Sequence, residues 1–254
     1  MNSAITITYG DQAENHKGMQ ILGVSKNIGL NLEDLEEIKK HFEGHGLICE
    51  LIDLTDVVKD YKHDEAKVLL IRKCVDFILS DEKKIAKDFY DEQNKLDHDK
   101  KAQMYGRVVN KKARHNLCFD NEAQEPKYEE GKGRIVSFAS VPITNKIKKY
   151  FESLTNKLDN LVAEGNYYYD INECGIGFHG DTERKIVIGV RLGLSIPLEY
   201  QWFYKNQDIG QRINIKLDHG DVYIMSEKAV GYDWKQSKIL TLRHAAGAAK
   251  FLKI

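Results

Sequence analysis

Proline is scarce, with three in 254 residues, and no long Gly/Ser-rich stretch replaces it. A long flexible linker is therefore not expected, and the chain reads as one large domain or a domain with an appended one. The four cysteines, Cys49, Cys74, Cys118 and Cys174, lie far apart with no Cys-x-x-Cys pair. That spacing argues against a thiolate zinc site and favours free thiols in a reducing compartment, so a cytoplasmic location is expected. Apolar runs such as Val187–Val190 are far too short to span a bilayer, and Met1–Ala4 opens no basic-then-apolar leader, so no membrane partner is expected. An excess of charge of either sign is missing too, since 38 Lys and Arg face 39 Asp and Glu. Without a global basic field, any contact with nucleic acid has to come from a local patch.

What is present begins with alternation. Ala4–Tyr9 alternates apolar residues with Thr and reads as a strand, as do Leu47–Leu54 and Ala66–Ile71. Asn31 is a good N-cap for a helix running to about His45, with Gly46 as its stop. Asp81–Asn94 reads as a charged helix. Residues 1–100 are therefore expected to form an N-terminal α/β extension. The stretch Lys95–Arg114 is strongly basic, carrying Lys95, Lys100, Lys101, Arg107, Lys111, Lys112 and Arg114. It reads either as a solvated helix and loop or as a phosphate-facing patch. Ile147–Leu161 has helical amphipathic spacing. Six short apolar runs then follow, from Leu161–Tyr169 to Ile239–His244, separated by Gly, Asn and Asp. This pattern points to an antiparallel double-sheet barrel of jelly-roll type within residues 101–254, and to an α+β fold overall.

The densest chemistry lies in Gly177-Phe178-His179-Gly180-Asp181. His179 and Asp181 are two residues apart, so at a strand end both project to one side. They supply two of the three ligands of a 2-His-1-carboxylate iron site. Four blocks surround them in order: Asn166-Tyr167-Tyr168 leading to Gly175–Glu183, Ile186–Leu194, His219–Met225, and Leu240-Thr241-Leu242-Arg243-His244-Ala245-Ala246-Gly247. Together these resemble the AlkB-like branch of the Fe(II)- and 2-oxoglutarate-dependent dioxygenases over roughly residues 161–247. The resemblance implies a double-stranded β-helix, with His179 and Asp181 on Fe(II), and Arg243, Asn166 and Tyr168 on 2-oxoglutarate. Decarboxylation of that cosubstrate would be coupled to oxidation of a substrate C–H bond by O2.

Two departures from the family pattern follow. No histidine stands at the usual place of the third ligand. Arg243 and His244 are consecutive on an expected strand, so if Arg243 faces the cosubstrate, His244 faces away. Asp233, ten residues before Arg243, is then the preferred third ligand; the alternatives are His244 on a bulged strand, or water. His219 is expected to be structural. Ser237 occupies the place of a second family arginine, which Lys235 or Lys238 could replace. Arg191 is the stronger candidate, because it interrupts an apolar strand and an unpaired buried guanidinium is costly. Its partner would be the second carboxylate of 2-oxoglutarate, a substrate phosphate, or Glu199 in a structural ion pair.

Relatives of this kind mostly oxidise bases in nucleic acid, so a nucleotide or nucleic-acid base is the implied partner, single-stranded rather than duplex. Residues 101–135 would form the substrate-covering lid, with Arg114 on a phosphate. Tyr167, Tyr169, Tyr200, Trp202 and Phe203 are available either to stack on a base or to fill the barrel, with Trp202 put forward for substrate contact. The polar loop Gly10–Gly18 is either a turn or a pocket wall. Two other functions stay open: oxidation of a small molecule or protein side chain, and a non-catalytic barrel that lost its third ligand. Fe(II) binding separates the last from the others.

Overall fold

The computed structural model describes residues 1–254 and contains two sheets whose facing surfaces enclose a cavity. The N-terminal part contributes β1 (Ala4–Gly10), a small hairpin of β2 (Gln12–Glu14) and β3 (Ile21–Gly23), α1 (Leu32–Gly44), β4 (Cys49–Asp53) and β5 (Lys67–Ile71). Next come α2 (Cys74–Leu79), α3 (Ala86–Asn94), a second hairpin of β6 (Lys101–Met104) and β7 (Arg107–Asn110), β8 (His115–Asp120) and β9 (Ile135–Ser137). After α4 (Pro142–Glu152) the chain is mostly strand: β10 (Val162–Tyr168), β11 (Gly175–His179), β12 (Ile188–Gly193), β13 (Pro197–Tyr204) and β14 (Gln207–Lys216). It closes with β15 (Val222–Met225), the short α5 (Glu227–Val230) and β16 (Thr241–Gly247).

The large sheet has the order β4-β5-β15-β12-β1-β10-β8-β9 and the small one β11-β16-β13-β14. All neighbours are antiparallel except the edge pair β8 and β9. Period-two alternation sorts the large sheet into two faces. Ile5, Ile7 and Tyr9 of β1, Ile188, Val190 and Leu192 of β12, and Val222 and Ile224 of β15 join a core of 33 buried residues with α1, α2, α3 and α4. The intervening side chains point at the small sheet. There Val68, Leu70, Tyr223 and Met225 meet Leu198, Tyr200, Trp202 and Leu242 in a second core. The architecture is mixed α and β, dominated by sheet.

No boundary falls at residue 100. β1 lies between β10 and β12, and β5 pairs with β15, so strands from residues 1–100 and 101–254 belong to one sheet. The expected division fails because local patterns identify β1 as a strand without naming partners more than 150 residues away. The expected lid, 101–135, is not one covering segment: the β6–β7 hairpin forms its own small sheet, β8 pairs with β10 in the large sheet, and 121–134 is loop with one short 3-10 turn at Tyr128–Glu130. Lys95–Arg114 holds this hairpin at its centre and no helix. Helix α4 begins at Pro142 and ends at Glu152, well ahead of the expected Ile147–Leu161, because Pro is well placed in the first turn. The charged helix begins at Ala86 instead of Asp81, after Lys83 adopts a left-handed conformation. Helix α1 matches its reading: the Asn31 side chain accepts from the Asp34 N–H, and the Asp34 carboxylate accepts from the Asn31 N–H.

Candidate functional site

Strand register builds one wall of the cavity. Asn116 of β8, Asn166 of β10, Thr6 of β1 and Arg191 of β12 form a row across four adjacent strands. Tyr168, Glu164 and Tyr223 flank it on the same face. From the opposite sheet come Ile176, His179, Leu198, His244 and Ala246, and the enclosed volume is about 280 Å³. A wider depression of about 560 Å³ at the start of α1 has an acidic rim, including Glu33, Asp64 and Glu227, and lies apart from these residues.

β11 and β16 pair Ile176 with Ala246 and then His179 with His244, so β11 carries one extra residue between the two pairs. This bulge turns His179 to the cavity side, which Ile176 already faces. The imidazoles lie 4.5 Å apart between ring centres. The Nε2 atoms of His179 and His244 stand 3.5 and 3.8 Å from Asp181 Oδ1, and one ligating atom from each of the three residues lies within 4.8 Å of the others. His179 Nδ1 lies 2.8 Å from the Gly177 carbonyl. A proton on Nδ1 donated to that carbonyl leaves the Nε2 lone pair directed at the cluster.

The electrostatics keep Asp181 and His244 in ligand form. Burial pushes the Asp181 carboxyl up, but the Arg184 guanidinium and the two imidazoles outweigh it and hold the group well below the usual carboxylate range. Burial, reinforced by neighbouring His179, depresses His244 to about 3, so its ring is neutral at physiological pH. Arg184 is buried among acids, donating to Glu164 at 2.7 Å and Glu183 at 2.8 Å with Asp181 Oδ2 3.5 Å away.

Arg191 is different. It is 1% exposed, its Nε has no partner, and its one hydrogen bond runs to the Ile196 carbonyl at 3.4 Å. The neighbouring Thr6 hydroxyl is also buried without a partner. Glu199, the candidate structural partner, instead takes Arg212 at 3.1 Å. A buried cation and a hydroxyl, both unsatisfied and side by side in a cavity, suit an anionic ligand.

Over 256 residues the chain is 47% identical to “Uncharacterized protein R156” of Acanthamoeba polyphaga mimivirus, covering 100% of this chain and 99% of the relative. The chain belongs to the family of that mimivirus protein. A second mimivirus protein, “Uncharacterized protein L905”, is 28% identical over 170 residues, covering 63% of this chain and 68% of its own. No protein-family model matches.

In this family member three expected site residues lie elsewhere. Asp233 does not join His179 and Asp181: its carboxylate is buried and takes the Lys228 ammonium at 2.7 Å. Arg243 leaves β16 on the outer face, with its guanidinium 3.9 Å above the Phe203 ring, so it does not reach the cavity. The alternation argument holds, but the inward member of the pair is His244. Trp202 is fully buried between the sheets and donates its indole N–H to the Leu54 carbonyl at 2.6 Å. Lys235 lies beside Trp234 outside the cavity lining, and His219 accepts from the Gly193 N–H at 3.0 Å, the structural role expected of it.

Asn166, Tyr168, Arg191 and Arg114 do line the cavity. Arg114 donates from Nε to Asn166 Oδ1 at 2.5 Å. The polar loop after β1 is a cavity wall, supplying Glu14, Asn15, His16 and Lys17. Lys111 braces it, donating to Asn15 Oδ1 at 2.7 Å and Asn116 Oδ1 at 2.9 Å. Sequence reasoning missed Arg184, whose setting in Asp181-Thr182-Glu183-Arg184-Lys185 looks like a solvated turn. It also missed Thr6 and Tyr223, which are ordinary strand residues until register places them beside Arg191.

Proposed function

We propose that the protein is an Fe(II)- and 2-oxoglutarate-dependent dioxygenase with a jelly-roll core, oxidising a C–H bond of a nucleobase or nucleotide. The observation that carries this reading is one cavity holding two imidazoles from one sheet, the carboxylate that follows β11, and an unpaired buried guanidinium from the other sheet. The donor set fits a facial iron site with open positions, and the orphaned Arg191 Nε and Thr6 hydroxyl fit a second, anionic group.

His179, Asp181 and His244 would hold Fe(II), and Arg191 would pair with a carboxylate of 2-oxoglutarate, as a planar guanidinium does well. Bound together, iron and 2-oxoglutarate supply the oxidising chemistry: O2 and 2-oxoglutarate give succinate and carbon dioxide, and one oxygen atom enters the substrate C–H bond. The chain's own residues prepare the site. Arg184 keeps Asp181 ionised and fixed, the Gly177 carbonyl sets the His179 tautomer, and Thr6 and Tyr168 offer hydroxyls beside Arg191. Ile176, Leu198 and Met225 contribute apolar surface that limits water. Arg114 and Lys17 give the rim a cationic character suited to a substrate phosphate.

A small-molecule substrate is the second reading, favoured by the modest cavity of about 280 Å³. The non-catalytic barrel rested on a missing third ligand, and His244 is a candidate for it. The test is an anaerobic titration with Fe(II) and 2-oxoglutarate, followed by the visible charge-transfer band and, once air is admitted, by succinate formation. A band in the wild type that is lost in His244→Ala supports the reading. No band in the wild type overturns it.

A further inference from the structure

We propose that the cationic and aromatic face around Trp234 guides a single-stranded nucleic acid into the cavity, an inference that deepens the nucleobase reading by naming the carrier of the base. Three cations surround one indole. Lys17 Nζ and Lys235 Nζ lie 5.9 and 5.8 Å from the Trp234 ring centre, and Arg243 Cζ lies 5.2 Å from it. None of the three has a carboxylate within 4.0 Å. Arg243 has only long contacts to Asn206 Oδ1 at 3.5 Å and the Trp234 carbonyl at 3.4 Å, and its Nε has no partner at all. In a chain of net charge −1 this is a concentrated, uncompensated positive spot.

The spot is continuous with the site. Trp234 and Lys17 both line the cavity. Trp234 also packs on Gly180, where an added Cβ would stand 2.8 Å from its ring, one residue before Asp181. Away from the mouth the face continues over the outer side of the small sheet, where the Arg243 guanidinium covers the buried Phe203 ring at 3.9 Å and the half-buried Phe178 lies beside it. Cations that neutralise phosphates, beside the Trp234 indole and the outer plane of the Arg243 guanidinium, on which bases can stack, are the elements of a sequence-tolerant single-strand platform. A base next to the strand held there would then turn into the cavity. An acidic peptide would satisfy the cations but leave the stacking planes unused.

The test is fluorescence anisotropy with a labelled oligodeoxythymidylate of about 12 nucleotides, titrated with metal-free wild type, Arg243→Gln, Lys235→Gln and Trp234→Ala over a range of salt. Thermal melting of each variant confirms folding. Trp234→Ala is expected to weaken binding about 5- to 150-fold. Arg243→Gln and Lys235→Gln are each expected to flatten the slope of log affinity against log salt by roughly 0.7. The proposal is overturned if the wild type does not bind at about 50 mM salt, if folded variants bind like the wild type, or if a polyglutamate peptide binds as tightly. Oligonucleotide binding without an iron and 2-oxoglutarate band would sink the oxygenase reading and leave the platform standing. A band without oligonucleotide binding would overturn the platform alone.

Discussion

Arg243 and His244 are consecutive on β16 and leave the sheet by opposite faces. His244 Nε2 reaches to 3.8 Å from Asp181 Oδ1, while the Arg243 guanidinium lies over Phe203 on the outer side. Only one residue of the pair can serve the cavity, and the same geometry releases the other for a surface role.

Metal binding should therefore depend on His244 and not on Asp233. His244→Ala is expected to abolish Fe(II) binding in an anaerobic calorimetric titration. Asp233→Ala should retain it, yet lose at most about 3–5 kcal/mol of stability in urea denaturation, because the buried Lys228 ammonium loses its nearer carboxylate and keeps only the exposed Asp64 at 3.5 Å. Iron binding that survives His244→Ala and fails in Asp233→Ala would reverse the assignment.

Arg191→Met separates cosubstrate binding from metal binding. Affinity for 2-oxoglutarate should fall roughly 30-fold or more, the cost of removing one member of a buried charge pair. Fe(II) affinity should not change. The ligand-free protein should be no less stable than the wild type, since the substitution removes a buried, unpaired guanidinium. Unchanged 2-oxoglutarate affinity would remove Arg191 from the site.

Stability should carry a signature of Glu14. Burial, with Glu183 and Glu164 nearby, raises its carboxyl from 4.5 to about 7 against the opposing Gly18 N–H and Arg184. A carboxyl raised in the folded state favours folding while protonated. Its contribution is complete below about pH 4.5 and is lost as pH rises through about 7. Denaturation midpoints of Glu14→Gln, measured across this range, should gain on the wild type as pH rises. A constant difference would show that Glu14 does not titrate there.

Two glycine substitutions should behave oppositely. A Cβ on Gly189 would stand 2.0 Å from the Tyr223 ring, its cross-strand neighbour, whereas one on Gly177 meets nothing nearer than the Phe251 carbonyl at 3.6 Å. Gly189→Ala is expected to cost about 1–3 kcal/mol and displace the Tyr223 phenol from the cavity. Gly177→Ala should melt close to the wild type. Equal melting temperatures for the two would contradict the packing described.

Much of the site was legible in the sequence because its chemistry is local. His179 and Asp181 stand out from their spacing, Arg191 from its place in an apolar strand, and the loop at Asn15 from its density of polar groups. The third member of the His179–Asp181–His244 cluster was hidden by a choice that alternation leaves open. Periodicity says that Arg243 and His244 diverge, but the side facing the cavity is decided by pairing with β11 and its bulge. Trp202 failed for a related reason: a large aromatic on a barrel strand looks the same from sequence whether it faces a ligand or a core. Arg184, Thr6 and Tyr223 gain their roles only through neighbours distant in the chain.

The central position of β1 also has a consequence for synthesis. Its partners begin at Val162 and Ile188, so once made β1 waits for at least 150 further residues before either exists. At usual elongation rates that is on the order of 10 s during which Ile5, Ile7 and Tyr9 have no sheet to join. The core of the large sheet cannot be completed progressively from the N-terminus, and a nascent chain stalled before β10 would be a target for chaperones and proteases.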